Sequence, residues 1–338
     1  MRIKDGHTRS NKWRVRMTGL TVAALIAVTG CSVQQPSDPG KSDNQAVNEG
    51  GNEQGTQAGQ QALLTEFQLV AKEAADASDV FTFMADNMAK ADQSTADTML
   101  RGLHDYYDRH LEAVQTDFFA SNVQEVLAEE AWPITKEGAA AIKDEKVLAL
   151  VQKAFAGGYK LETVEGTIYP IVDYSKQLQF SKWLSEQMNA YVQLMAEESN
   201  TAAAKDGGLV ITWDELASRA LLAETFIVNY TDAPEREEIQ NKYVNGYLAM
   251  YINGLPSASI YDAETLKLRE EVKNSYQATI ANAPESATAR ITKQFLEILA
   301  ESGEQIVQKK DGELTELAAI KQFREELANN AEKLLKQP

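Results

Sequence analysis

The chain is predicted to be mostly α: an N-terminal antiparallel helical hairpin followed by a helical domain with a small β-hairpin insert. Three observations predict this class. Apolar residues step by four and three through most of the body. Helix-start signatures recur along it. Period-two, β-rich sequence is confined to one short region, near 159–172.

The first 30 residues stand apart from that body. Arg2, Lys4, Arg9, Lys12, Arg14 and Arg16 precede an uncharged apolar stretch from Met17 to Val28. A stretch of this length is too short to cross a bilayer, which takes roughly 20 residues, but it suits the charged and apolar regions of a secretory signal peptide. The stretch ends in Val28-Thr29-Gly30-Cys31, which holds the only cysteine of the chain. This motif resembles the lipobox of bacterial lipoproteins. The resemblance implies cleavage between Gly30 and Cys31 and attachment of a diacylglycerol and fatty-acyl chains such as palmitate to Cys31. It also implies a lipid-anchored protein on the extracytoplasmic face of the cell membrane. Two or more acyl chains hold a protein at a membrane where a single chain does so only reversibly.

Charge narrows the function classes. The full chain carries 33 basic and 50 acidic residues, and residues 1–30 hold six and one. The remainder therefore carries 27 against 49, a net charge near −22. Nucleic acid needs a basic face and is excluded as a partner. An anionic membrane surface would repel such a body, so attachment falls to the lipid. With its one cysteine lipidated, the chain cannot form an internal disulfide, and a large apolar core must stabilise it.

Residues 31–60 are rich in Gly, Gln, Asn, Ser and Pro and have no aromatic side chain, so they read as a disordered tether. A flexible coil of that length spans on the order of 30 Å. Residues 61–131 read as the helical hairpin. Leu63, Phe67, Val70, Ala74, Ala77, Phe81, Met84 and Met88 form one apolar seam, and Ala96, Leu100, Leu103, Tyr107, His110 and Val114 resume it. Each helix would extend roughly 40 Å.

Residues 132–338 read as the larger helical domain. Thr212 to Glu215 fits a capping box. Asp232-Ala-Pro-Glu235 and Asn282-Ala-Pro-Glu285 combine a capping residue, a proline and an acid. Leu216, Ala220, Ala223, Ile227 and Tyr230 face one way, Ile320, Leu327 and Leu334 recur in the last helix, and Gly254 and Gly303 sit where helices stop. Gly157-Gly158 ends a helix ahead of two short strands, Tyr159 to Val164 and Thr167 to Val172, around Glu165-Gly166. Pro170 restricts the second strand to an edge, and 207–212 suits a further short strand. The block "EGTIYPIVDY" (165–174) and the "WDE" helix start (213–215) resemble uncharacterised lipoproteins of Gram-positive bacteria. That resemblance implies no activity and no site residues.

Motifs for chemistry are absent: there is no nucleophile elbow, no zinc-protease helix, no phosphate loop and no dinucleotide fingerprint. His104 and Asp108 have the i, i+4 spacing of a metal pair, but His110 lies about 120° away from His104 around the helix, so no metal and no cofactor is expected. Tyr243, Tyr247 and Tyr251 would form a ridge suited to peptide or sugar contact; the same spacing suits tyrosines packed against a neighbouring helix. Glu165, Tyr169, Asp173 and Tyr174 mix acids and amphipathic rings in an irregular segment, where binding residues gather, and a free strand edge there would admit a partner. The expected role is binding or scaffolding at the cell envelope, toward a protein or peptide. The alternative is an extracytoplasmic hydrolase working through carboxylates.

Overall fold

In this computed structural model, residues 57–336 are described; the expected signal peptide, Gly30, Cys31 and the tether up to residue 56 lie outside them. The described residues are mostly helical, with small two-stranded antiparallel ribbons, and belong to one compact unit.

The N-terminal hairpin is built from α1 (Gln57–Glu73), α2 (Ala77–Asn87) and α3 (Gln93–Phe118), with a 3₁₀ turn at Met88–Lys90. Its first arm differs from the single long helix that the seam predicts. Asp76 accepts a hydrogen bond from the Ser78 backbone N–H at 2.9 Å, and this local cap starts a new helix at Ala77. The seam survives the break, because Leu63, Phe67, Ala77, Met84 and Met88 remain buried. Helix α1 also begins inside the expected tether. There Gln60 is buried, donating to the Lys90 carbonyl at 3.0 Å and accepting from the Asp92 N–H at 2.9 Å. One glutamine side chain thus satisfies the backbone of the α2–α3 connection.

After α4 (Ser121–Ala128) and α5 (Glu145–Ala156) comes the hairpin of β1 (Tyr159–Val164) and β2 (Thr167–Val172), with the predicted boundaries. Glu165 and Gly166 both have positive φ, 50° and 79°, the combination of a two-residue type I′ turn. The free edge expected on β2 is occupied. Gln124 of α4 donates to the Ile168 carbonyl at 2.7 Å and accepts from the Ile168 N–H at 2.9 Å, and Gln115 of α3 donates to the Pro170 carbonyl at 3.0 Å. Side-chain amides therefore take the place of a third strand.

The rest is helical: α6 (Tyr174–Gln177), α7 (Glu186–Asn200), α8 (Trp213–Asn229), α9 (Arg236–Asn241), a π-helical segment (Lys242–Leu248) and α10 (Ala249–Asn253), then α11 (Glu270–Asn282), α12 (Ala287–Glu301), α13 (Ala318–Glu325) and α14 (Leu327–Leu335). The expected strand near 207–212 is β4 (Gly208–Leu209), paired with β3 (Ala204–Lys205). A further ribbon, β5 (Val307–Lys310) with β6 (Glu313–Glu316), turns at Asp311-Gly312, a turn signal set among too few apolar residues to read as strands.

The caps follow the sequence only in part. Thr212 caps α8 through the Glu215 N–H at 3.1 Å, yet Glu215 turns its carboxylate to Arg219 rather than back to the cap. Helix α9 starts after Asp232, at Arg236, because Glu235 is drawn to Arg101. Helix α12 starts after Asn282, with Ser286 as its cap. The last helix is two helices. A buried apolar cluster runs from Leu63 to Ala331, so hairpin and helical domain share one core.

Candidate functional site

The site is built on α3. Arg101, His104, Asp105 and Asp108 occupy positions i, i+3, i+4 and i+7, so the helix presents them on one face. Tyr174 at the start of α6, Tyr191 of α7, and Pro234, Glu235 and Glu238 before and within α9 complete a cleft of about 340 Å³. Sockets of this size hold small organic ligands. Tyr191 and Glu235 are buried in its floor, whereas Asp105, Asp108 and Glu238 are exposed at its rim.

Arg101 holds Glu235 through both carboxylate oxygens, at 2.6 and 3.4 Å, and Gln187 adds a bond at 3.3 Å. His104 packs in a triangle with the two tyrosine rings, its centroid 5.5 Å from Tyr174 and 5.6 Å from Tyr191, which lie 6.3 Å from each other. Its Nε2 meets the Gln177 amide oxygen at 2.7 Å. Burial outweighs the Gln177 bond and the nearby acids and keeps the imidazole below its ordinary pKa, so it is neutral at pH 7. Tyr191 donates to Glu238 at 3.1 Å. Desolvation raises the Glu238 carboxyl, with Asp108 and Glu235 adding like-charge repulsion and Tyr191 and Lys242 opposing it. Burial likewise pushes the Tyr174 phenol up to about 12.

With its four carboxylates ionised against Arg101, the cleft carries a formal charge of −3. Among the described residues no Lys or Arg forms an ion pair with Asp105, Asp108 or Glu238. Three acids and two tyrosine rings facing one space can hold a positively charged group, by Coulomb attraction at the rim and by ring faces below it.

Sequence reasoning placed only part of this. Of the four hairpin residues, Tyr174 lines the cleft, but the structure does not bring the four together. Glu165 is exposed in the turn at the far end of the ribbon, some 20 Å away at the rise of a strand. Tyr169 packs near Phe119, ring centroids 6.2 Å apart. Asp173 faces Lys160 at 3.9 Å. Tyr243, Tyr247 and Tyr251 are all buried, packed against neighbouring helices and not raised as a surface ridge. Their hydroxyls join helices instead: Tyr243 meets Thr288 at 3.0 Å, Tyr247 donates to Glu198 at 3.0 Å, and Tyr251 meets Ser275 and Thr279 at 2.9 Å each. His104 is bound to Gln177 rather than paired with Asp108, and among the described residues no group of three or more His, Cys, Asp or Glu side chains could hold a metal ion.

The residues missed, Arg101, Asp105, Tyr191, Glu235 and Glu238, left one trace: "RGLHDYYD" repeats polar residues at helical spacing, away from the apolar seam. Set against family models, curated proteins and solved structures, the chain matches none of them.

Proposed function

We propose that this protein is a lipid-anchored binding protein of the bacterial envelope, and that the α3–α7–α9 cleft takes a small organic cation or the ammonium end of a peptide side chain. The observation that carries the reading is the unneutralised set Asp105, Asp108 and Glu238 around Tyr174 and Tyr191. Acids packed for stability are ordinarily met by donors, and these three outnumber theirs. The anchor reading rests on the lipobox at Cys31, from which fatty-acid labelling should be lost in Cys31→Ala.

Calorimetric titration of the full chain tests the cleft, with putrescine as the probe and glutarate as its anionic counterpart. Putrescine should bind, more weakly as salt rises, and Asp108→Asn or Glu238→Gln should each weaken it several-fold. Equal uptake of glutarate, or unchanged binding in both variants, would refute the reading. A second reading, a carboxylate-dependent hydrolase, draws on one feature. Glu238 keeps its proton to higher pH than an ordinary glutamate and lies within the field of Asp108, a second carboxylate, as a general acid in such a hydrolase would.

A further inference from the structure

On the other side of α3, a second cavity of about 180 Å³ lies among the α1–α2 junction, α3, α5 and β1. We propose that it binds a single-ring phenol. The inference is independent of the cation cleft.

Size comes first. A cavity of about 150 Å³ is enough for one benzene ring. The walls suit a ring as well. Val114, Leu150 and Ala154 supply aliphatic surface, and Tyr106 and His110 stack at 4.0 Å and 17° to form an aromatic wall. Charge is muted, since Asp76 and Lys153, which also line the cavity, lie 3.3 Å apart and pair with each other. Only Asp117 adds an unpaired charge, and it is exposed, so an anionic ligand is disfavoured.

Two polar groups then select a hydroxyl. Tyr159 lines the cavity and its hydroxyl is buried without a hydrogen-bond partner, an unfavourable state that a ligand oxygen would relieve. His110 Nδ1 meets the Tyr106 carbonyl at 2.7 Å. A carbonyl only accepts, so Nδ1 carries a proton, and in that tautomer Nε2 is left as the acceptor. A phenol hydroxyl answers both at once, accepting from Tyr159 and donating to His110.

The test is a fluorine NMR titration of the full chain with 4-fluorophenol and fluorobenzene, which differ by that hydroxyl, each corrected for a detergent-only blank. Saturable binding of 4-fluorophenol, about fivefold tighter than fluorobenzene, is expected from one added hydrogen-bonded group. Tyr159→Phe should bring 4-fluorophenol to the fluorobenzene level and leave fluorobenzene unchanged. Ala113→Phe, at an exposed α3 position on the cavity wall, should weaken both probes and covers the case in which Tyr159→Phe does not fold. The proposal is overturned if neither probe binds, if the two bind equally, or if Ala113→Phe binds both as the parent does.

Discussion

Removing Arg101 should have opposite effects on fold and cleft. Glu235 keeps only 8% of its side chain exposed and Arg101 30%, so the pair lies between a buried and a surface ion pair. Breaking a fully buried pair costs about 3–5 kcal/mol, whereas an exposed one is worth at most about 1. In Arg101→Met the methionine keeps much of the apolar stem, and Gln187 still donates to Glu235 at 3.3 Å. The carboxylate nonetheless loses two charge-assisted bonds and keeps its acidic neighbours. A loss of about 2 kcal/mol follows. Neutralising the orphan should restore most of it, so the double variant Arg101→Met, Glu235→Gln should lie within about 1 kcal/mol of the parent. Urea unfolding at pH 7.5, with equal slopes across the set, measures this. The single variant should meanwhile bind putrescine more tightly, because it loses the one Lys or Arg that lines the cleft among the described residues. A single-variant loss below about 0.5 kcal/mol, or a double variant as unstable as the single, would refute the account of the pair.

Two other perturbations test the frame around the site. Gly102 sits where α1 crosses α3, and a Cβ there would lie 3.0 Å from Phe67 Cζ and closer still to Cε1. Alanine gains about 1 kcal/mol of helix propensity, but overpacking a buried ring costs about 1–3. Gly102→Ala should therefore destabilise the parent and stabilise a Phe67→Leu background, and the same sign in both backgrounds would show that the ring is not the obstacle. The second perturbation is pH. His104 has a folded pKa below the ordinary 6.5, so as pH falls the unfolded chain takes up that proton first. Its contribution is complete above about pH 6.5 and is lost between there and the folded pKa. The parent should lose more stability than His104→Gln between pH 7.5 and 5.5, as read by urea midpoints; equal losses would place the burial elsewhere.

How much of this was legible in the sequence depends on which interaction decides each feature. The β1–β2 hairpin was readable to the residue, because Glu165-Gly166 fixes its turn locally. The apolar seam of α3 was readable because burial follows a period. The break at Asp76 was not, since the seam continues through it in phase while a short polar cap changes the backbone. The N-termini of α9 and α12 shifted for a non-local reason: Glu235 is held by Arg101, and Glu224 reaches from α8 to the backbone N–H groups of Ala287 and Thr288, at 2.6 and 2.9 Å. The cleft was hardest to see. Its walls come from α3, α6, α7 and α9, and only the α3 face has a spacing within one window.

The treatment of acids elsewhere in the molecule separates the cleft from the general acidity of the chain. Where a carboxylate serves the fold, donors surround it. Buried Glu224 accepts from two backbone N–H groups and from the Thr288 hydroxyl at 2.7 Å. Glu198 is met by Arg219 at 3.1 Å and by Tyr247 at 3.0 Å. Glu235, in the cleft floor, has Arg101 and Gln187. Among the described residues Asp105 and Asp108 have no such donor and Glu238 has only Tyr191, all within one concavity, and burial raises the Glu238 pKa. Acids scattered on an open surface are hydrated and screened at little cost. At the cleft's rim Glu238 is partly desolvated and repelled by Asp108 and Glu235, so a bound cation would relieve a repulsion that the fold leaves in place. The relief has a measurable sign: putrescine binding should lower the Glu238 pKa toward that of an ordinary glutamate and so release protons. Titration calorimetry in buffers of different ionisation enthalpy would detect that release, and binding with no proton linkage would put the cation somewhere other than beside Glu238.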